Sequence, residues 1–199
     1  MRRSRFLVTM FAVCGFSCLV WFTNALASPD ADTWHLDAAH SAAQFSVRHL
    51  GISTVRGTFT KVSGEVNYSS SDPSKSSVDV SIDASSVDSR VPARDNDIRS
   101  EHFLDVAKYP AITFKSKRVA AAGPGKLTVV GDLTLHGVTK EVTLDVDGPS
   151  APIKNPMGAG QRAGASATTK INRGDFGMTY MSSLIGDEVE IQIDVEMLK

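Results

Sequence analysis

The sequence predicts an all-β, antiparallel domain with one short helix. The strongest sign is the segment 131–146 (GDLTLHGVTKEVTLDV), in which apolar residues alternate with polar ones on both sides of a short break that contains glycine. A period of two places the apolar residues on one face of a strand, and two such runs form a hairpin with one dry face. The same pattern recurs along the chain, without the alternation of strands and long helices that is typical of a parallel sheet.

Alternating runs predict about eight strands. In chain order, these strands are drawn from ten alternating runs, at residues 33–37, 43–50, 55–59, 62–66, 78–82, 112–116, 127–135, 141–147, 162–171 and 189–195. The period changes between residues 88 and 107, where Pro92 suits a first helical turn, and we predict a helix over residues 93–104. A sandwich and a closed barrel both bury one face of each strand, so the periodicity leaves both architectures open.

The N-terminal segment has the three parts of a secretory signal peptide. Arginines within the first five residues precede an apolar run at residues 6–22, and Ala25-Leu26-Ala27 supplies the small residues of a cleavage site. We therefore expect residues 1–27 to be removed and residues 28–199 to form one exported domain. The alternative is a membrane anchor, but the apolar run is shorter than the ~20 residues that a spanning helix needs.

Cysteine and charge content exclude several functions. Both cysteines, Cys14 and Cys18, lie in the predicted signal peptide, so the exported domain has no thiol for catalysis, for a disulfide or for a metal site. That domain carries slightly more acidic than basic residues and no basic patch, so we expect no nucleic-acid partner.

No catalytic or metal-binding motif stands out. The histidines share no HxH, HxxxH or HExxH spacing, so we expect no metal and no cofactor, although His40 and His49 flank one strand with Asp37 nearby. No GxSxG motif marks a nucleophilic serine, whereas a Ser/His/Asp triad assembled from distant strands stays open. A dense polar cluster at residues 94–101 is either a lid or headgroup anchor for a ligand, or a solvated helix face.

Large aromatic residues fall mostly on the apolar faces. Phe45, Phe59 and Phe114 occupy alternating apolar positions, and Phe103 and Phe176 follow turns or helix ends. Inward-facing aromatic rings suit a solid core. They equally suit an apolar pocket in which a few polar groups at the mouth orient a ligand.

Seven segments together resemble the YceI-like family. They are DAAHS (37–41), FSVRHLG (45–51), VRGTF (55–59), SEHFLD (100–105), YPAITFKS (109–116), GDLTLHGVT (131–139) and NRGDFG (172–177). The resemblance covers nearly all of the chain after the predicted signal peptide, with its segments in the family's order.

The resemblance implies an eight-stranded, antiparallel, lipocalin-like barrel in the periplasm. Such domains are associated with binding polyisoprenoids, prenyl quinones or other long amphiphiles in an internal apolar channel. Some members occur with b-type cytochromes of the membrane, so we expect a membrane cytochrome as a partner. Apart from the resemblance, we also expect that the protein forms a homodimer. Ala165 departs from the family pattern, which leads us to expect an aromatic residue such as Phe there. If position 165 lines the channel, the pocket is wider or shaped for a different ligand.

We expect a ligand to contact nine residues that point inward or lie near a mouth: Phe45, Val47, Phe59, Phe103, Phe114, Leu133, Leu135, Phe176 and Ile191. Of these, Phe103 and Phe176 are the two expected near the mouth. Two alternatives stay open at this stage. One is a hydrolase or isomerase that acts on a lipid-like substrate, and the other is a stress-response interaction module with a solid core and no ligand.

Overall fold

The structure, a computed structural model, describes residues 31–199, so the signal peptide predicted for residues 1–27 lies outside the described residues. Twelve strands form one antiparallel sheet. In chain order they are Asp32–Leu36 (β1), Ala42–His49 (β2), Ser53–Phe59 (β3), Val62–Tyr68 (β4), Ser77–Asp83 (β5), Val87–Asp88 (β6), Ala111–Gly123 (β7), Lys126–Leu135 (β8), Val138–Asp147 (β9), Ile153–Lys154 (β10), Gln161–Asn172 (β11) and Ile185–Leu198 (β12).

The sheet closes into a barrel of eight long strands, as predicted. Three of the long strands are interrupted: β1 continues into β2, β3 into β4, and β5 into β6, and each pair lies end to end against the same neighbours. With β7, β8, β9, β11 and β12 they make an up-and-down ring, because β12 pairs with β11 on one side and with β1 and β2 on the other. The two-residue strand β10 pairs with β11 outside this ring.

One α-helix, α1 (Pro92–Arg99), lies between β6 and β7. Pro92 occupies the first turn, where its missing N–H costs no hydrogen bond. The helix ends at Arg99, earlier than the residue 104 that the sequence predicts, because Ser100 is extended (φ −74°, ψ 177°) and its hydroxyl donates to the carbonyl of Asp97. A serine hydroxyl at this position competes with the helical hydrogen bonds. Among the described residues, no helix is both long and apolar enough to cross a membrane.

The register of the strands defines two ends of the barrel. The helix end contains α1, the β2–β3 turn at residues 50–52, the β8–β9 turn at 136–137 and the segment 173–184 before β12. The loop end contains the connections at residues 69–76, 124–125 and 148–160 and the C-terminal Lys199, whose backbone pairs with Gln161. A small apolar cluster of Trp34, Ala163 and Met197 packs near the loop end.

Candidate ligand cavity

An apolar cavity of about 990 Å³ runs through the barrel. Toward the loop end its wall includes Tyr68 and Met197, and at the helix end it includes Val91 and Met181. Every long strand contributes its inward-facing side chains, which are mainly Val, Ile, Leu and Phe. An eight-stranded barrel is just wide enough either to be filled by its own side chains or to hold one small ligand. The volume shows that this barrel is not filled.

Eight of the nine residues expected to contact a ligand lie on the cavity wall: Phe45, Val47, Phe59, Phe103, Phe114, Leu133, Leu135 and Ile191. The ninth, Phe176, is not a wall residue. Its side chain is only 2% exposed and packs into the apolar core, because a 3-10 turn at Arg173–Phe176 ends on Gly177 in a left-handed conformation and carries the ring inward. Phe176 therefore lies at the helix end, in the segment beside the opening, but its ring packs in the core and does not border the cavity.

Two glycines hold aromatic rings against the wall. A Cβ atom built on Gly57 would stand 2.4 Å from Cζ of Phe45, its partner on β2, and one built on Gly131 would stand 2.6 Å from Cζ of Phe114. Each ring therefore covers the bare backbone of a neighbouring strand. From this position, both rings border the cavity.

Strand β11 contributes small side chains to the wall. Ala165 and Ala167 both border the cavity, opposite Val195 and Ile193 on β12. Ala165 is the position where an aromatic residue is expected from the family pattern, and the structure places it on the cavity wall. Its methyl group leaves room in the lumen that a phenyl ring would occupy.

Polar groups on the wall are few, and several lie at the helix end. Arg94 and Asp97, from the polar cluster that the sequence singles out, reach the wall together with His49 and Ser53. Arg94 donates from Nε to the hydroxyl of Ser89 (2.8 Å) and from Nη2 to the carbonyl of Ser89 (2.6 Å). The cluster thus places two charged groups beside the opening, as a headgroup anchor requires.

Other residues of that polar cluster hold α1 in place against the barrel. Asp95 is buried and accepts hydrogen bonds from the backbone N–H (2.7 Å) and hydroxyl of Ser89. Burial raises the pKa of Asp95, but the bonds from Ser89 and the charges of Arg99 and Arg94 outweigh burial and leave that pKa below its ordinary value. Arg99 donates to the carbonyls of Ser85 (2.8 Å) and Val87 (2.6 Å), which ties α1 to the preceding strand.

The segment 173–184 forms the opposite side of the opening, and Arg173 holds it in place. This guanidinium is almost fully buried. It donates to four backbone carbonyls, those of Met178, Tyr180, Ile185 and Gly186. Tyr180 in turn stacks on His102 (ring centroids 4.0 Å apart) and meets Phe103 edge-on (5.7 Å). Sequence reasoning missed Tyr180, Met181 and the role of Arg173, although Arg173 lies inside one of the family-like motifs.

A separate charged cluster lies near the loop end. Asp37, His40 and Glu196 bring three potential ligand atoms within 4.8 Å of one another, but Nη1 of Arg162 is 2.8 Å from both Asp37 Oδ2 and Glu196 Oε2 and supplies the cation. Hydrogen bonds from His40, the backbone of Ala39 and Arg162 lower the pKa of Asp37 to about 2. His49 borders the cavity at the far end of β2, so it does not join His40 as the sequence allows.

Comparison with known proteins places this barrel in a family. The family model of the YceI-like domain matches residues 34–197. The chain belongs to the YceI-like family. It is 41% identical over 156 residues to a UPF0312 protein of Vibrio cholerae strain O395, an alignment that covers 78% of this chain and 82% of that protein.

Solved structures of YceI-like and related domains share the fold. The crystal structure of Burkholderia cenocepacia BcnA matches with a TM-score of 0.71 at 24% identity, covering 81% of this chain and 98% of BcnA. A polyisoprenoid binding domain from Saccharophagus degradans matches with a TM-score of 0.60 at 20% identity, covering 83% of this chain and 97% of that domain. At these identities, both likenesses show the fold alone.

Proposed function

We propose that this YceI-like protein is an exported, periplasmic binding protein that holds a polyisoprenoid, a prenyl quinone or a similar long amphiphile inside its barrel. The observation that carries the proposal is the unfilled apolar cavity of about 990 Å³. A closed wall of aliphatic and aromatic side chains removes a hydrocarbon chain from water along its length. The name of the Saccharophagus degradans domain, which shares the fold, supports the same ligand class.

The energetics favour a long hydrocarbon chain. Each CH₂-sized group that leaves water contributes about 0.8 kcal/mol. The ordering of the ligand and the loss of its free translation oppose binding by several kcal/mol, so a ligand needs many such groups to bind well. The polar side chains Arg94, Asp97 and His49 lie at the helix end, where a polar headgroup would remain while the chain fills the lumen.

Mass spectrometry of the protein purified from an exporting host tests this proposal. We expect a co-purified apolar ligand, or stoichiometric uptake of a prenyl quinone added afterwards. Leu144→Gln places an amide on the cavity wall, and Thr143→Gln changes the adjacent, exposed residue on the outer face of β9. We expect the first variant to lose ligand and the second to keep it, with thermal melting used to confirm that both fold.

Two results would contradict the proposal. Failure of the wild-type protein to take up any prenyl quinone would leave the interaction module as the better interpretation. Turnover of a lipid ester, with a loss of turnover in a wall variant, would favour the hydrolase or isomerase. A membrane cytochrome partner stays a prediction of the family resemblance, and a homodimer stays a prediction as well.

A further inference from the structure

Exposed apolar side chains concentrate at the helix end of the barrel. Seven large apolar residues are markedly exposed in the described chain, and five of them lie at this end. We call these five the apolar rim: Leu50, Ile52, Val91, Met181 and Leu184. The other two, Ile153 and Met157, belong to the connection at the loop end. Scattered apolar residues are ordinary on protein surfaces, whereas a group at one end calls for an explanation.

The apolar rim surrounds the opening of the cavity. The backbone N–H of Leu50 donates to the carbonyl of Leu184 (2.7 Å), which joins the β2–β3 turn to the segment before β12. The N–H of Leu184 donates to Met181 (2.9 Å). Val91 and Met181 are both exposed and also border the cavity, so at these two residues the apolar surface of the lumen continues onto the outside of the protein.

Basic side chains flank the rim without carboxylate partners. Within residues 31–199, neither Arg48 nor Arg90 forms an ion pair, and Arg48 instead donates to the hydroxyl of Thr54 and the carbonyl of Gly51. Several acidic groups at this end are already engaged. Asp187 pairs with Arg173, and the carboxylate of Asp88 accepts the backbone N–H of Arg90.

We propose that the apolar rim docks on the surface of a lipid bilayer, and that ligand passes between the membrane and the cavity beside Val91 and Met181. The second half of this proposal rests on the proposed function. A long amphiphile that leaves a bilayer avoids water only if the opening meets the apolar phase directly. Side chains that project from two turns reach the boundary between headgroups and acyl chains, and the flanking arginines face anionic headgroups.

Flotation with lipid vesicles tests the docking step. Ile52→Glu and Leu184→Glu change rim residues that do not border the cavity, and Ile153→Glu and Met157→Glu are matched controls at the loop end. We expect each rim variant to weaken the partition onto phosphatidylcholine vesicles by about tenfold, because a large apolar side chain no longer enters the bilayer. We expect the controls to partition like the wild-type protein.

Changing the lipid composition of the vesicles tests whether the arginines beside the apolar rim contribute to binding. Adding phosphatidylglycerol is expected to strengthen binding, and Arg90→Gln is expected to remove about fivefold of that gain, since each basic group near an anionic surface contributes on the order of 1 kcal/mol. Absence of vesicle binding by the wild-type protein would overturn the docking proposal in favour of a protein partner. Equal weakening by the rim and loop-end variants would overturn it as well.

Ligand uptake separates docking from the proposed function. A short-chain prenyl quinone that dissolves without vesicles measures the cavity alone, and a long-chain quinone supplied in vesicles measures transfer. We expect the rim variants to bind the short-chain quinone normally and to take up the long-chain one slowly. If the wild-type protein binds neither quinone but floats with vesicles, the proposed function fails while docking stands. If all variants take up quinone from vesicles equally fast, the transfer route is wrong.

Discussion

Replacing Gly57 by alanine is expected to push the ring of Phe45 into the lumen. The new Cβ would lie 2.4 Å from Cζ and 2.6 Å from Cε1 of that ring. Carbon atoms in contact are about 3.5–4.0 Å apart, so the ring must move by more than about 1 Å. The methyl group stands on the wall, and the ring can only retreat toward the cavity. The nearest backbone atom, the carbonyl oxygen of Asp88, is 3.3 Å away and requires only a small adjustment.

The expected loss of affinity follows from the space that the ring takes. A ring displaced into the lumen excludes one or two methylene-sized groups of the ligand, each worth about 0.8 kcal/mol, which weakens binding roughly 5- to 15-fold. The free energy of unfolding changes by a comparable amount. Crowding costs about 1–3 kcal/mol, and removing a glycine from a strand returns roughly 0.5–1 kcal/mol, so we expect a fall of only a few degrees in Tm.

Titration with a prenyl quinone and thermal melting measure the two quantities. Gly186→Ala is the matched control, because its Cβ would meet only Arg48, with that residue's Cβ at 3.4 Å and its backbone O and N at 3.5 and 3.7 Å, all ordinary contacts. In a Phe45→Ala background, Gly57→Ala should have no further effect on affinity, since the ring that it displaces is gone. The reasoning is refuted if Gly57→Ala binds like the wild-type protein, or if its loss persists in that background.

Three further variants test other parts of the structure. Asp37→Asn should lower Tm more at pH 7 than at pH 2; with the pKa of Asp37 lowered to about 2, its stabilising charge is complete above the ordinary pKa near 4 and lost as the pH falls through 2. Arg173→Met should cost roughly 3–5 kcal/mol in urea unfolding, because four carbonyls lose a buried charged donor. Ala165→Phe should weaken the binding of a long-chain quinone by at least about tenfold in direct titration, by filling the lumen.

Alternation in the sequence predicted the strands well, since one buried face per strand is a property of each strand by itself. Alternation could not predict that the sheet closes into a barrel, because closure depends on which edge strands pair with each other. Here β12 is hydrogen-bonded on both sides, to β11 and to the interrupted strand β1–β2. Only the family resemblance favoured the barrel over the sandwich.

The wall residues on strands were predictable, whereas the opening was not. Phe45 and Leu133 inherit their direction from strand alternation. Phe176 sits in a 3-10 turn, so its direction depends on the left-handed Gly177 that follows it. Arg173 donates to four backbone carbonyls besides its ion pair with Asp187, and no pattern of side chains in the sequence marks contacts with backbone carbonyls.

The size of the side chains on β11 helps to decide between an interaction module with a solid core and a carrier with a ligand in its cavity. A barrel of eight strands fills its own interior when large residues face inward from every strand. Here β11 presents Ala165 and Ala167 to the cavity at successive inward positions, and the rings of Phe45 and Phe114 lie against Gly57 and Gly131 of neighbouring strands. Small residues at these positions forgo apolar packing that leucine or phenylalanine would supply. A strand that lacks large apolar side chains along one wall is what we expect of a carrier, in which a bound ligand fills the interior of the barrel.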